Sequence, residues 1–334
     1  MQIQPDKTQF ETAQKAGKSQ LIYTKVSADL FTPVSAMLGL KDKYEYSLLL
    51  ESVHGGESRG RYSVIALGSQ LLWEADYDAK NALADLKKLV RETVIEIPGE
   101  LPPMSAGLFG YIGYDAVRLF EKVSDKNPDE LGIPDIMLFV PEAILVFDSV
   151  KDDLFIICPV YAKGATAGAY ELAGKRIKKI ISSLYKSKSA EPKKAKKHKV
   201  EFTSNCTREE YHGMVAKAKE YIKAGDIFQL VPSQRFTADF KLPPFAFYRA
   251  LRHLNPSPFL FYLQLKDFCL VGSSPEILVR LRDGTVTIRP IAGTRKRGKN
   301  AEEDAELAAD LMADKKEIAE HLSRNTGIPA EIFS

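Results

Sequence analysis

The longest apolar run in the chain, residues 136–147, is interrupted by Pro141 and Glu142. It is too short for a membrane-spanning helix, which takes about 20 consecutive apolar residues. A polar segment, 148–153, follows it, and then a second apolar stretch, 154–159. Two apolar stretches around a short polar turn predict a β-hairpin of 143–147 against 154–159. The surrounding sequence reads the same way. Residues 46–53 form a largely apolar run suited to a buried strand, and 62–67 form another, with 69–74 as its pairing partner. Residues 81–93 carry helical spacing through Leu83, Leu86 and Val90. Residues 21–160 therefore predict mainly strands with some helix.

Composition sets the class. The 334 residues, 45% of them hydrophobic, suffice for two domains with real cores. The net charge of +3 is too small to argue for nucleic acid. The basic excess is local, seven lysines between residues 186 and 199, with no interleaved aromatic residues for stacking bases. The three cysteines, Cys158, Cys206 and Cys269, are far apart and suggest neither disulfides nor a zinc site. With no apolar leader at the N-terminus, this points to a reducing, cytoplasmic protein with no membrane association.

The lysine-rich stretch also marks the expected domain boundary. Residues 1–185 form one domain, with a helix over 170–185; residues 186–200 are a linker; residues 201–334 form a second domain. That second part opens on a capping box, Thr207 with Glu210, and helical spacing through Tyr211, Met214, Val215, Ala218 and Ile222. Gly225 stands where a left-handed C-terminal residue belongs. A strand over 227–231 comes next. Farther on, alternation over 277–282, the pair Asp283-Gly284 and a return over 285–288 predict a hairpin. Residues 301–322 predict a long helix.

Three segments carry possible chemistry. In 289–295, Arg289 and Arg295 could grip a carboxylate in a bidentate fork, beside Gly293 and Thr294. The same residues also read as an ordinary strand-to-helix loop. Glu317, Glu320 and His321 share one helical face, suited to Mg2+ or to proton transfer, or simply a solvated acidic stripe. Gln229 interrupts an apolar strand and needs hydrogen-bond partners, structural or functional. The glycine-rich stretches 54–57 and 107–113 match no phosphate-loop spacing and read as turns and tight packing.

Taken in order, several segments resemble the chorismate-utilising enzymes, and among them most closely anthranilate synthase component I. They are Leu49-Leu50-Glu51-Ser52, Gly60-Arg61-Tyr62-Ser63, Gly107-Leu108-Phe109-Gly110-Tyr111, Asp226-Ile227-Phe228-Gln229, Asn255-Pro256-Ser257-Pro258-Phe259, Gly272-Ser273-Ser274-Pro275-Glu276 and the run from Pro290 to Arg295. Two positions choose among relatives. Ala292 stands where similar aminodeoxychorismate synthases usually carry Lys. Gln229 stands near where isochorismate-type enzymes carry a lysine base for water. Neither residue can do that chemistry, which fits ammonia as the nucleophile, so within this resemblance both positions point to anthranilate.

The resemblance implies an α+β fold of large, mostly antiparallel sheets packed together with helices outside. It implies a lyase that adds ammonia, delivered by a glutamine amidotransferase subunit, to chorismate and eliminates pyruvate. Gly293 and Thr294 would contact chorismate, Glu320 would bind Mg2+, and Glu317 would act as general acid. Tryptophan, the feedback inhibitor, would bind at Ser52, Pro258, Phe259 and Leu260, in a pocket between domains. The family continues past His321 with motifs that this chain lacks, so the second domain is expected to be incomplete and the chain inactive and poorly soluble alone. The competing readings are an aminodeoxychorismate synthase component I and a non-catalytic tryptophan-binding remnant.

Overall fold

A computed structural model of the chain describes residues 2–54, 58–124, 127–163, 166–186, 200–227, 230–282, 284–288 and 295–314. The chain begins with α1 (Lys7–Lys15), β1 (Gln20–Ser27) and α2 (Pro33–Leu40). Next come β2 (Tyr46–Glu51), the short β3 (Val53–His54) and β4 (Ser58–Arg59), β5 (Tyr62–Leu67) and β6 (Leu71–Ala75). The path continues through α3 (Ala82–Glu92), β7 (Phe109–Ile112), β8 (Ile136–Val140), β9 (Ala143–Asp148), β10 (Asp153–Val160) and α4 (Ala169–Lys186). Then follow β11 (Phe202–Ser204), α5 (Arg208–Ala224), β12 (Phe236–Ala238), α6 (Pro244–Leu254), β13 (Phe259–Leu265) and β14 (Phe268–Ser274). The last elements are β15 (Arg280–Arg282), β16 (Thr285–Thr287) and α7 (Ala301–Ala313). Among the described residues no helix is long and apolar enough to cross a membrane.

The described residues fall into two compact units, one drawn from 1–188 and 248–334, the other from 189–247. The first is organised by a seven-stranded sheet in the order β1-β10-β9-β5-β2-β13-β14, antiparallel throughout. A three-stranded sheet, β6-β8-β7, packs on one of its faces. Leu48, Val64, Ile144, Val146, Ile157 and Leu263 of the large sheet meet Phe109, Met137 and Phe139 of the small one in a single buried cluster. Alternate residues of the same strands, such as Leu145 and Ile156, turn to the opposite face. There α2 contributes Met37 and Leu40, and α4 contributes Ile177 and Ile180, all nearly inaccessible. Burial on both faces explains why 143–147 is apolar without alternation.

The β9–β10 hairpin forms around residues 149–152. Pro141 and Glu142 are the corner at which the chain leaves the small sheet, at β8, and enters the large one, at β9. The capping box of α5 is present: Thr207 Oγ1 accepts from the Glu210 amide at 3.2 Å, and Glu210 Oε2 accepts from the Thr207 amide at 2.7 Å. Gly225 closes that helix at φ +82°. The β15–β16 hairpin turns through Gly284 at φ +73°, a conformation in which a Cβ would be strained. The fold class is α+β, as expected.

Three local expectations need correction. Residues 69–74 do not pair with 62–67: β6 pairs with β8 in the small sheet, while β5 lies between β2 and β9. Helix α3 buries Ala82 and Leu89 rather than Val90, which is 48% exposed, so its inward face is rotated from the expected one. Ile227, Leu230 and Val231 are not in a strand, and Val231 is 78% exposed. An apolar run becomes a strand only where a neighbour completes its ladder, and the described part of 227–231 has none. Helix α7 ends at Ala313, and 315–322 lies outside the described residues.

Candidate functional site

Strand β13 pairs with β2 over six positions, from Leu265 opposite Tyr46 to Leu260 opposite Glu51. One step beyond the last pair stand Phe259 on one strand and Ser52 on the other. The ladder thus brings two segments some two hundred residues apart in sequence to the same end of one sheet. Side chains alternate along each strand, so Leu48 and Leu263 face the core between the sheets, while Glu51, Leu260 and Tyr262 face the other way.

On that second face Glu51 is held by two side chains of α6. Arg252 donates through Nε to Oε2 at 3.0 Å and through Nη2 to Oε1 at 2.9 Å. The Tyr248 hydroxyl donates to Oε2 at 2.5 Å. The Glu51 side chain is 4% exposed and that of Arg252 is 14% exposed, so this is a buried, bidentate ion pair. Burial, reinforced by the Glu51 charge, pushes the Tyr248 phenol well above its ordinary pKa, which keeps it a donor. The Tyr248 ring also lies 6.0 Å from that of Tyr262 on β13. Tyr248 and Arg252 carry no mark in the sequence, and Glu51 has only a place in the Leu49-Leu50-Glu51-Ser52 segment, without a role. The available signal was a carboxylate inside the apolar 46–53 run, with Tyr and Arg four apart on a helix.

Ser52 is tied through its main chain to Gly60. Its carbonyl accepts from the Gly60 amide at 2.7 Å, and a Cβ on Gly60 would meet Ser52 Oγ at 1.7 Å. The facing segment is tied too. The Asn255 amide donates to Leu251 O at 2.8 Å, so the 255–258 turn continues directly from α6. Ser273 Oγ of β14 donates to Asn255 O at 2.6 Å. Leu260 is buried and Phe259 is 39% exposed. The register thus sets the Ser52 hydroxyl one step beyond the ladder, at the same sheet end as the accessible Phe259 ring.

The remaining expected site residues cannot be placed. Gln229, Arg289, Ala292, Gly293, Thr294, Glu317, Glu320 and His321 lie outside the described residues. Arg295 is described, and its own chain occupies it: Nε donates to Asp310 and Nη2 to Asp314, both at 2.9 Å. The two acids lie one turn apart at the end of α7, so the guanidinium bridges carboxylates of the protein itself. Among the described residues no cluster of three metal-ligating side chains is present. Two of the 107–113 glycines serve packing, since a Cβ would lie 1.9 Å from Met137 O at Gly110 and 2.8 Å from Asp135 O at Gly113, while Gly107 stands in open space at φ +119°. A cleft of about 480 Å³ beside Gln70, Thr93, Tyr161 and Arg176 holds none of the expected residues. Its cations, Lys163 and Arg176, are paired with Glu92 and Glu142.

The chain is similar to known proteins over most of its length. The family model for chorismate binding enzymes matches residues 46–324. Anthranilate synthase component 1 of Cereibacter sphaeroides is 47% identical, in a match covering 94% of this chain and 67% of that protein. The protein of the same name from Aquifex aeolicus is 39% identical, over 90% of this chain and 64% of its own length. The crystal structure of anthranilate synthase component I from Streptococcus pneumoniae matches with a TM-score of 0.66 at 29% identity, covering 89% of this chain and 66% of that one. The chain therefore spans about two thirds of the length of the relatives it matches. It belongs to the chorismate binding enzyme family.

Proposed function

We propose that this chain is part of an anthranilate synthase large subunit, a cytoplasmic lyase that converts chorismate and ammonia to anthranilate and pyruvate. A glutamine amidotransferase subunit supplies the ammonia, and tryptophan inhibits by binding at Ser52, Pro258, Phe259 and Leu260. The observation that best supports this reading is the β2–β13 register, which sets Ser52 beside Phe259 at one sheet end in a chain whose relatives bear that name. In the same reading Gly293 and Thr294 contact chorismate, Glu317 protonates the departing hydroxyl, and Glu320 holds Mg2+. The ion, when bound, clamps the chorismate carboxylate and neutralises its charge. These four residues lie outside the described part of the chain, so their roles rest on sequence alone.

Calorimetric titration with tryptophan tests the regulatory half. The chain is expected to bind tryptophan, and Ser52→Phe to abolish binding. Equal affinity in the two would end the assignment. Anthranilate fluorescence, with chorismate, ammonium and Mg2+ supplied, tests the chemical half. A different aromatic product would overturn it.

A further inference from the structure

We propose that Tyr248 and Arg252 are positioning residues for the tryptophan site, an inference that rests on the site reading above. The site has two walls from distant parts of the sequence, and α6 touches both. One wall is Ser52, whose neighbour Glu51 is gripped by Arg252 and Tyr248. The other is the 255–258 turn and Phe259, which continue from the C-terminal end of the same helix. Tyr248 also packs its ring against Tyr262, two residues along β13 from Leu260 and on the same face.

The helix is therefore a spacer. Its side chains set where the end of β2 stands, and its last turn sets where the aromatic and proline residues stand. Both Glu51 oxygens are engaged by these donors. The planar guanidinium fixes the carboxylate in direction as well as distance, which an ammonium does not do. Loosening the grip frees Ser52 to move relative to Phe259 without removing any group expected to touch tryptophan.

The experiment is titration of the 334-residue chain and its variants with tryptophan, at a temperature where each is folded by circular dichroism. Tyr248→Phe keeps the ring and removes only the hydroxyl. It is expected to weaken tryptophan binding by about 2–30-fold, the range of coupling carried by residues that touch neither ligand. Arg252→Lys keeps the charge but not the fork and is expected to fall in the same range. Unchanged tryptophan affinity in both variants, with a lowered melting temperature, makes the network merely structural and overturns the proposal. Loss of affinity in Tyr248→Phe at unchanged melting temperature supports it. If the unsubstituted chain binds no tryptophan, or Ser52→Phe binds as it does, the site reading itself fails. That outcome is distinct from a wild-type-like Tyr248→Phe beside an inactive Ser52→Phe.

Discussion

Replacing Arg252 by methionine isolates the energetics of the buried pair. The substitution keeps an unbranched apolar side chain and deletes the guanidinium, so Glu51, 4% exposed in the parent, keeps Tyr248 as a hydrogen-bond donor. Breaking a buried ion pair by removing one partner costs about 3–5 kcal/mol, because the remaining charge is desolvated and uncompensated. In domains of this size each kcal/mol moves the melting temperature by about 2–4 °C, so a drop of roughly 6–20 °C is expected. The cost should not be mistaken for the worth of the pair. In the triple variant Glu51→Leu, Arg252→Met, Tyr248→Phe no buried polar atom of the network remains. It should lie within about 1–2 kcal/mol of the parent if apolar packing replaces the network. Thermal unfolding followed by circular dichroism, with urea denaturation at the same pH, measures both. A single Arg252→Met variant within about 1 kcal/mol of the parent would refute the reasoning, since a carboxylate that cheap to unpair must be hydrated.

Two further outcomes follow from the same sheet. Asp148 accepts from Arg61 at 2.8–3.2 Å, and that hydrogen bond holds its carboxyl below the ordinary carboxylate range. A depressed folded-state pKa gives stability that is present above the unfolded value of about 3.9 and is lost as pH falls through the folded one. The stability gap between the parent and Asp148→Asn should therefore narrow as pH drops from 6 toward 2, and a gap constant over that range would contradict the pairing. Gly272 lies opposite Phe261 on β13, and a Cβ there would meet the ring at 2.0 Å. Gly272→Ala is expected to cost about 1–3 kcal/mol by overpacking, relieved by Phe261→Leu. Loss in the single variant that the second substitution leaves unrelieved would place the strain elsewhere.

What could be read from the sequence was local. The β9–β10 hairpin, the α5 capping box and the Gly284 turn are each decided within a few residues, by periodicity and turn chemistry. What could not be read was pairing at a distance. Nothing in 46–51 or in 259–265 names the other as its neighbour, and both are apolar runs that would satisfy any partner. The 69–74 segment failed for the same reason: proximity in sequence suggested 62–67, but its ladder was completed by β8. Ser52 and Phe259 enter by likeness to a family, and the register sets them at the same end of one sheet. The buried Glu51 network was missed because its evidence is split, one carboxylate in a strand and two donors on a helix nearly two hundred residues later.

The β2–β13 pairing also decides what can be cut. The lysine-rich stretch looks like a place to divide the chain, yet a fragment ending there would lose β13 and β14 from its own sheet. Leu260, Tyr262, Leu263 and Leu265 are each at most 4% exposed, and burying such side chains is worth about 1.5–3 kcal/mol apiece. Four of them amount to roughly 6–12 kcal/mol, comparable to the whole stability of a typical domain at about 5–15 kcal/mol. The fragment would also expose the β2 edge, an apolar strand with six unpaired positions and Glu51 stripped of both donors. Such an edge templates association with other chains. Residues 1–200 produced alone are thus expected to elute as oligomers or aggregate on size exclusion and to lack near-ultraviolet circular dichroism. A monomeric fragment with the aromatic signal of a packed core would mean that the sheet closes at β2 without its distant neighbour. The energetic case for treating 248–274 as part of the N-terminal core would then fall.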